Sequence, residues 1–199
     1  MSAFIQINHL SKHYRDNVVL ENLNCEVAEG EFVTLVGASG CGKSTFLRLL
    51  LGTESASSGQ LLMAGNPIEQ EPSPDRGIVF QRYSVFPHLN VRQNVALGIE
   101  LKESRWLGRL FGQRRKAALA EADELLAAVG LEQALYKYPH ELSGGMQQRL
   151  ALAQALIKKP KLLLLDEPFG ALDPGIRKEM HDLVMGLWRQ YGLTIFMVT

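Results

Sequence analysis

Hydrophobic and polar positions along this chain move between strand-like and helical periods. Phe4 to Leu10 and Val18 to Val27 are apolar and β-rich around a polar turn, Lys12 to Asn17, and predict two strands paired antiparallel. Glu29-Gly30-Glu31 turns the chain into Phe32-Val33-Thr34-Leu35-Val36, an apolar run read as a buried central strand. Phe46 to Leu51 is a helix-forming run closed by Gly52. A turn over Ser55 to Gly59, a short strand over Gln60 to Met63 and a loop from Pro67 to Arg76 follow, the loop kept from helix by Pro72 and Pro74. Gly77 to Phe80 returns to strand. From His88 the period becomes helical. Asn90 is placed to cap a helix to about Leu101, and Leu119, Ala122, Leu125, Leu126 and Val129 share one face of a second, stopped by Gly130. Ser143 is placed as the cap of a third, which runs through Leu150 to Ile157. Leu162-Leu163-Leu164-Leu165 reads as a strand covered on both faces. Asp173-Pro174 opens a helix to about Gln190, Gly192 ends it, and Leu193 to Val198 is a further buried strand.

The chemistry gathers at the joints of this pattern. Between the Phe32 run and the Phe46 helix lies Gly37-Ala38-Ser39-Gly40-Cys41-Gly42-Lys43-Ser44-Thr45, which fits G-x-x-x-x-G-K-[ST] with a strand before it and a helix after it. Glycines let backbone N–H groups turn inward and approach a triphosphate, and the helix N-terminus adds partial positive charge. Lys43 can reach the β/γ oxygens, and the Ser44 hydroxyl can ligate Mg²⁺. A second helix start, Ser143-Gly144-Gly145, has a hydroxyl and exposed N–H groups and suits a second anion. Asp166 and Glu167 close the leucine strand. Two acids there are costly without a cation, so Asp166 suits Mg²⁺ and Glu167 the proton of an attacking water. Gln81, at the end of its strand, is an uncharged oxygen donor able to touch both metal and water. Tyr14, in the first polar turn, offers a face for an adenine ring.

Charge and cysteine content narrow the class. The 199 residues suffice for one domain with a sizeable core, and 21 basic residues balance 21 acidic ones. That balance argues against a nucleic-acid partner, which usually needs a basic face. No apolar run is long enough to cross a bilayer, and Met1 to Gln6 lacks the start of a secretory signal. Two cysteines make no disulfide framework, and Cys41 sits inside the phosphate loop, so a reducing, cytoplasmic location is expected. The segment 102–116 carries Lys102, Arg105, Arg109, Arg114, Arg115 and Lys116 interleaved with Trp106, Leu107, Leu110 and Phe111. It reads as a solvated linker or helix face, with a contact surface for lipid head groups or a partner as the alternative.

These residues together resemble the nucleotide-binding subunits of ATP-binding cassette (ABC) transporters, over essentially the whole chain. The resemblance is carried by GASGCGKST (Gly37 to Thr45), Gln81, LSGGMQQ (Leu142 to Gln148), LLLLDEP (Leu162 to Pro168) and ALD (Ala171 to Asp173). The phosphate loop is shared by many NTPases, and the LSGG stretch is far more specific. The resemblance implies an α/β P-loop NTPase with a RecA-like core, an antiparallel β subdomain and an inserted helical subdomain. The core and β subdomain would take residues 1–87 and 158–199, and the helical subdomain residues 88–157. It implies two copies, identical or closely paralogous, docked head to tail on two ATPs. Lys43, Ser44, Gln81, Asp166 and Glu167 of one copy would face Ser143, Gly144, Gly145 and Gln147 of the other, with Mg²⁺ held by Ser44, Gln81 and Asp166. Catalysis would rest on Glu167, Gln81 and Lys43, with Tyr14 on adenine and Asp173 at the dimer axis. Val85-Phe86-Pro87 resembles the patch that receives a membrane permease.

On this reading the chain is the ATPase of a bacterial-type importer, peripheral on the inner face of the membrane, and serves a solute-binding protein indirectly. PSPDRGIVFQ (Pro72 to Gln81) and GMQQRLALAQAL (Gly145 to Leu156) look most like the nitrate, sulfonate and taurine branch, with polyamine and amino-acid importers next. The alternative is a soluble ABC ATPase of DNA repair or translation, whose long coiled coil or zinc module has no counterpart here. A P-loop kinase or simple GTPase leaves LSGG unexplained. In the family a γ-phosphate histidine follows the last strand. The chain ends at Thr199 and His181 lies in the preceding helix, so this stretch is expected to bind ATP and hydrolyse it poorly.

Overall fold

The computed structural model describes residues 3–71, 73–81, 84–104, 109–170 and 172–199. Pro72, Arg105, Trp106, Leu107 and Ala171, which figure in the sequence reading, lie outside the described residues. The chain divides into two compact units, one of residues 1–78, 161–167 and 187–199, the other of residues 79–160 and 168–186.

The first unit holds two sheets. An antiparallel sheet is built from β1 (Ile5–Tyr14), β2 (Asn17–Val27), β4 (Ser58–Met63) and β5 (Asn66–Pro67) in the order β2-β1-β4-β5. The predicted antiparallel pairing of the first two strands is present, but the turn is tighter than expected. Tyr14 pairs with Asn17, so Tyr14 ends β1 and does not sit in the turn. The cause is local: Arg15, at φ 54°, supplies the left-handed corner that a short hairpin needs.

The second sheet has the order β3-β8-β7-β6, from β3 (Phe32–Leu35), β6 (Arg76–Val79), β7 (Leu162–Asp166) and β8 (Thr194–Val198). β8 runs parallel to both β3 and β7. The Phe32 run, expected to be a buried central strand, stands at one end of this strand order among the described residues, and none of its four residues is fully buried. The chain instead places β8, buried at all five positions, and the leucines of β7 in the middle. Continuous apolar runs look alike in sequence, and only the crossover order decides which is central.

The helix α1 (Lys43–Leu51) begins immediately after the glycine loop and buries Phe46, Leu47, Leu49, Leu50 and Leu51. These residues form one core with Ile5, Ile7 and Leu10 of β1 and with Leu162, Leu164, Phe196 and Val198 of the parallel sheet. Gly52 ends α1 in the left-handed conformation, its N–H closing onto the Arg48 and Leu49 carbonyls. A side chain there would meet the Glu69 carbonyl at 2.2 Å. Arg76 is buried beside it and donates to the Glu69 and Glu71 carbonyls, and burial holds its guanidinium below the ordinary arginine range.

The second unit is helical: α2 (Val91–Glu103), α3 (Gly112–Ala128) and α4 (Gly144–Leu156), with α5 (Pro174–Tyr191) beginning in it. Asn90 caps α2 as expected, in a reciprocal pair with Gln93. Asn94, 1 % exposed, accepts from the Phe86 N–H at 2.8 Å and donates to the Phe86, Leu89 and Asn90 carbonyls, while Gln154 of α4 donates to it at 2.9 Å. That network fixes the segment carrying Phe86, whose ring is exposed. In the basic segment Leu110 is buried and Arg115 pairs with Glu100 at 3.6 Å, while Lys102, Arg109, Phe111, Arg114 and Lys116 are exposed. Among the described residues no helix is long and apolar enough to cross a membrane.

Candidate nucleotide-binding site

Three segments of the first unit meet at the start of α1. The loop from β3 places Gly40 at φ 82° and Gly42 at φ 98°, a conformation L side chains rarely adopt. A Cβ at Gly42 would come within 2.9 Å of the Val19 carbonyl and side chain, so glycine is required there twice over. Gly42 is also the N-cap, and it has no side chain to accept from the first N–H groups of the helix. An α-helix leaves four such donors without an intrahelical partner, and no side-chain cap takes any of them here. The Lys43 ammonium folds across the loop, donating to the Gly37 carbonyl at 2.5 Å and the Ala38 carbonyl at 3.0 Å. Cys41 is a free, exposed thiol packed close to Gly37.

The Ser44 hydroxyl donates to Asp166 Oδ1 at 3.1 Å, joining the first turn of α1 to the end of β7 across 122 residues of sequence. Glu167 follows, half-buried, at φ 45°. A non-glycine residue in that region costs of order 1 kcal/mol, and such strain gathers at functional sites. The Glu167 N–H is held at 3.1 Å by the Val198 carbonyl of β8, which keeps the reversal in place. Tyr14 lies at the end of β1 with its hydroxyl donating to Glu54. The expected residues Lys43, Ser44 and Asp166 are thus brought together, with Glu167 one residue beyond Asp166.

The remaining sequence candidates belong to the second unit. Gln81 lies two residues beyond β6 and is exposed. Ser143 caps α4 as expected, its hydroxyl accepting from the Met146 N–H at 3.3 Å. Gly144 is open, whereas a Cβ at Gly145 would meet the Ile176 side chain at 2.9 Å. Gln147 does not extend outward: it donates to the Pro139 and Leu142 carbonyls and fastens the segment ahead of the helix. An open depression of about 500 Å³ lies beside Ser143 and Gly145, with Lys137 and Arg149 among its lining residues. The Asp173 carbonyl accepts the Arg177 N–H at 2.8 Å at the start of α5, and His181 lies midway along that helix.

Several contributors had no sequence signal. Arg149 donates to the Val129 carbonyl at 2.9 Å and reaches Glu179 at 3.4 Å, bracing α4 on α3 and α5. Its position three residues beyond Met146 gives only the helical face. Ile176 and Asn94 carry no motif of their own. Glu54 lies in an unremarkable turn.

The fold is that of a P-loop NTPase, an α/β architecture with an added antiparallel sheet and a helical unit. Its glycine loop before α1 and the Ser44–Asp166 pair form the candidate nucleotide site. The family model described as ABC transporter matches residues 20–170, and the chain belongs to that family, as a nucleotide-binding ABC domain. It is 43 % identical over 199 residues to the spermidine/putrescine import ATP-binding protein PotA of Chromobacterium violaceum, covering 99 % of this chain and 53 % of that protein. It is 46 % identical over 193 residues to the aliphatic sulfonates import ATP-binding protein SsuB of Shigella sonnei, covering 97 % and 69 %. The chain therefore spans about half the length of the first of these relatives. Among solved structures it resembles the ATP-binding cassette MJ0796, a dimer in a post-hydrolysis state bound to ADP and Pi, with TM-score 0.80, 30 % identity, 98 % of this chain and 87 % of that one.

Proposed function

We propose that this chain binds and hydrolyses ATP to power solute import through a separate membrane permease, as a head-to-tail dimer with a second copy or a close paralogue. The observation that carries this reading is the Ser44–Asp166 contact at 3.1 Å, beside an uncapped helix start and the Lys43 ammonium. The names of the polyamine and sulfonate relatives support the importer, and the dimeric cassette with ADP and Pi supports the pairing.

The α1 N–H groups and Lys43 bind the β- and γ-phosphates and lower the cost of charge built up during transfer. Two hard oxygen donors 3.1 Å apart, Ser44 Oγ and Asp166 Oδ1, fit Mg²⁺. Among the described residues no group of three or more His, Cys, Asp or Glu could hold a metal, so phosphate oxygens, water and Gln81 would complete the shell. Bound there, Mg²⁺ would neutralise charge on the β- and γ-phosphates. Glu167 takes the proton from the attacking water, and Gln81 orients that water. Ser143, Gly144 and Gly145 of the second copy grip the terminal phosphate from the other side, and Gln147 serves there by holding the loop in front of the helix. Residues 88–157, which lie within the second compact unit, are the helical subdomain in this reading, and the exposed Phe86 belongs to the face that meets the permease.

The names of these relatives support two solute classes, sulfonates and polyamines, and the nitrate, sulfonate and taurine branch is the reading carried by Pro72 to Gln81 and Gly145 to Leu156. The test uses the full-length protein with its permease on the inner face of membrane vesicles. Glu167→Gln is expected to retain ATP binding and to lower turnover by about 10²-fold or more. Wild-type turnover in that variant would remove Glu167 from the role of base. Purification with ribosomes or DNA in place of a permease would overturn the transport reading.

A further inference from the structure

In the sequence, Tyr14 is an aromatic face with no evident residue to hold it. A tyrosine at a strand end is free to rotate, and an unheld ring makes a poor platform because its ordering must be repeated at each binding event. In the structure that ring is held. Its hydroxyl donates to Glu54 Oε2. The Lys12 ammonium sits 4.8 Å from the ring centroid, over one face, and is fixed by the Ser55 carbonyl at 2.8 Å and by Glu54 Oε2 at 3.6 Å. The other oxygen of Glu54 lies 3.3 Å from Arg48 Nη1, on the outer face of α1. Tyr14 keeps 42 % of its surface exposed.

We propose that Glu54 is the positioning residue of the nucleobase platform: it fixes the plane of Tyr14 so that Lys12 covers one face and the other receives a purine. The inference rests on the ATP reading above and extends it. Through Arg48, Glu54 also ties the platform to the helix whose first turn is the phosphate loop, so base and phosphate recognition share one rigid element. A cation over one face of a ring leaves the opposite face as the place for stacking, where each base adds a favourable π contact. The Glu54 bond, followed by burial, raises the Tyr14 hydroxyl above its ordinary range, so it stays a donor at neutral pH.

The platform is tested in the full-length protein by comparing affinity for ATP with affinity for inorganic tripolyphosphate, which has the phosphates and no base. Tyr14→Ala is expected to weaken ATP about tenfold. Glu54→Ala and Tyr14→Phe are each expected to weaken it about three- to fivefold, and the Glu54→Ala/Tyr14→Phe double variant no further than either alone. Tripolyphosphate affinity stays at the wild-type value in all of them. Glu54→Ala that binds ATP normally while Tyr14→Ala does not overturns the role of Glu54 alone. Equal loss of ATP and tripolyphosphate in Glu54→Ala makes the residue merely structural and also overturns it. Normal ATP binding in Tyr14→Ala removes the platform itself, and the inference with it.

Discussion

Two helix starts in this chain look alike in sequence and are built on opposite principles. Both carry glycines, ahead of the helix at α1 and in the first turn at α4, and both expose backbone N–H groups at a helix start. At α1 the cap is Gly42, in the left-handed region, with no side chain to satisfy the first turn. At α4 the cap is Ser143, whose hydroxyl accepts from the Met146 N–H. One terminus has no side-chain cap at all. The other has one of its first-turn donors satisfied by its own side chain, which leaves the rest to other partners. The glycines differ in kind too. Gly42 is demanded by φ and by the Val19 backbone, Gly145 only by the side chain of Ile176, and Gly144 by nothing within 4 Å. The same residue type therefore records a backbone constraint at one site and a packing constraint at the other.

The comparison breaks most sharply at Gly42. Gly42→Ala is expected to lose ATP binding and about 3 kcal/mol of stability, because a forced positive φ and a backbone clash act together; urea unfolding of the full-length protein measures it. Gly145→Ala is expected to lose about 1–2 kcal/mol, since Ile176 can shift where backbone cannot, and adding Ile176→Ala recovers part of the loss. Gly144→Ala, on the same turn, is expected to be neutral or to stabilise by up to about 1 kcal/mol. Should Gly144→Ala prove as harmful as Gly145→Ala, the packing account of Gly145 fails. Ser143→Ala is expected to lose about 1 kcal/mol through the cap, with no counterpart at α1.

The smallest effect is on pH. Burial pushes the Glu54 carboxyl up, but the bonds from Tyr14 and Arg48 and the charge of Lys12 outweigh it, and the group titrates below its ordinary range. A lowered carboxylate pKa adds stability above the ordinary glutamate value, lost as pH falls through the lowered one. Tyr14 is raised, so its contribution is complete below the ordinary tyrosine value and is lost as pH rises through the raised one. Glu54→Gln is expected to flatten the acid side of the stability profile in thermal unfolding, and Tyr14→Phe the alkaline side. An acid limb that Glu54→Gln leaves unchanged would detach Glu54 from it.

What could be read directly from the residues was whatever depends on neighbours along the chain. The glycine loop, the Asn90 and Ser143 caps, the leucine strand ending in Asp166-Glu167 and the helical periods all follow from local sterics and from the satisfaction of backbone donors within a few residues. Asn90 and Ser143 do cap their helices, and β7 is buried along its leucines.

Tertiary structure alone decided the rest, because the deciding partners are far apart in sequence. The Phe32 run and the β8 run are equally apolar, and only the strand order places β8 between neighbours and β3 at the end among the described residues. Tyr14 was legible as an aromatic but not as one gripped by Glu54, forty residues away. Ser44 and Asp166 meet across 122 residues, Arg149 finds the Val129 carbonyl, and Ile176 fixes the identity of Gly145. A motif states which groups are present. The hydrogen bonds and contacts that orient them are set by which strands lie side by side and which helices pack, and a pattern of neighbours along the chain carries no record of that.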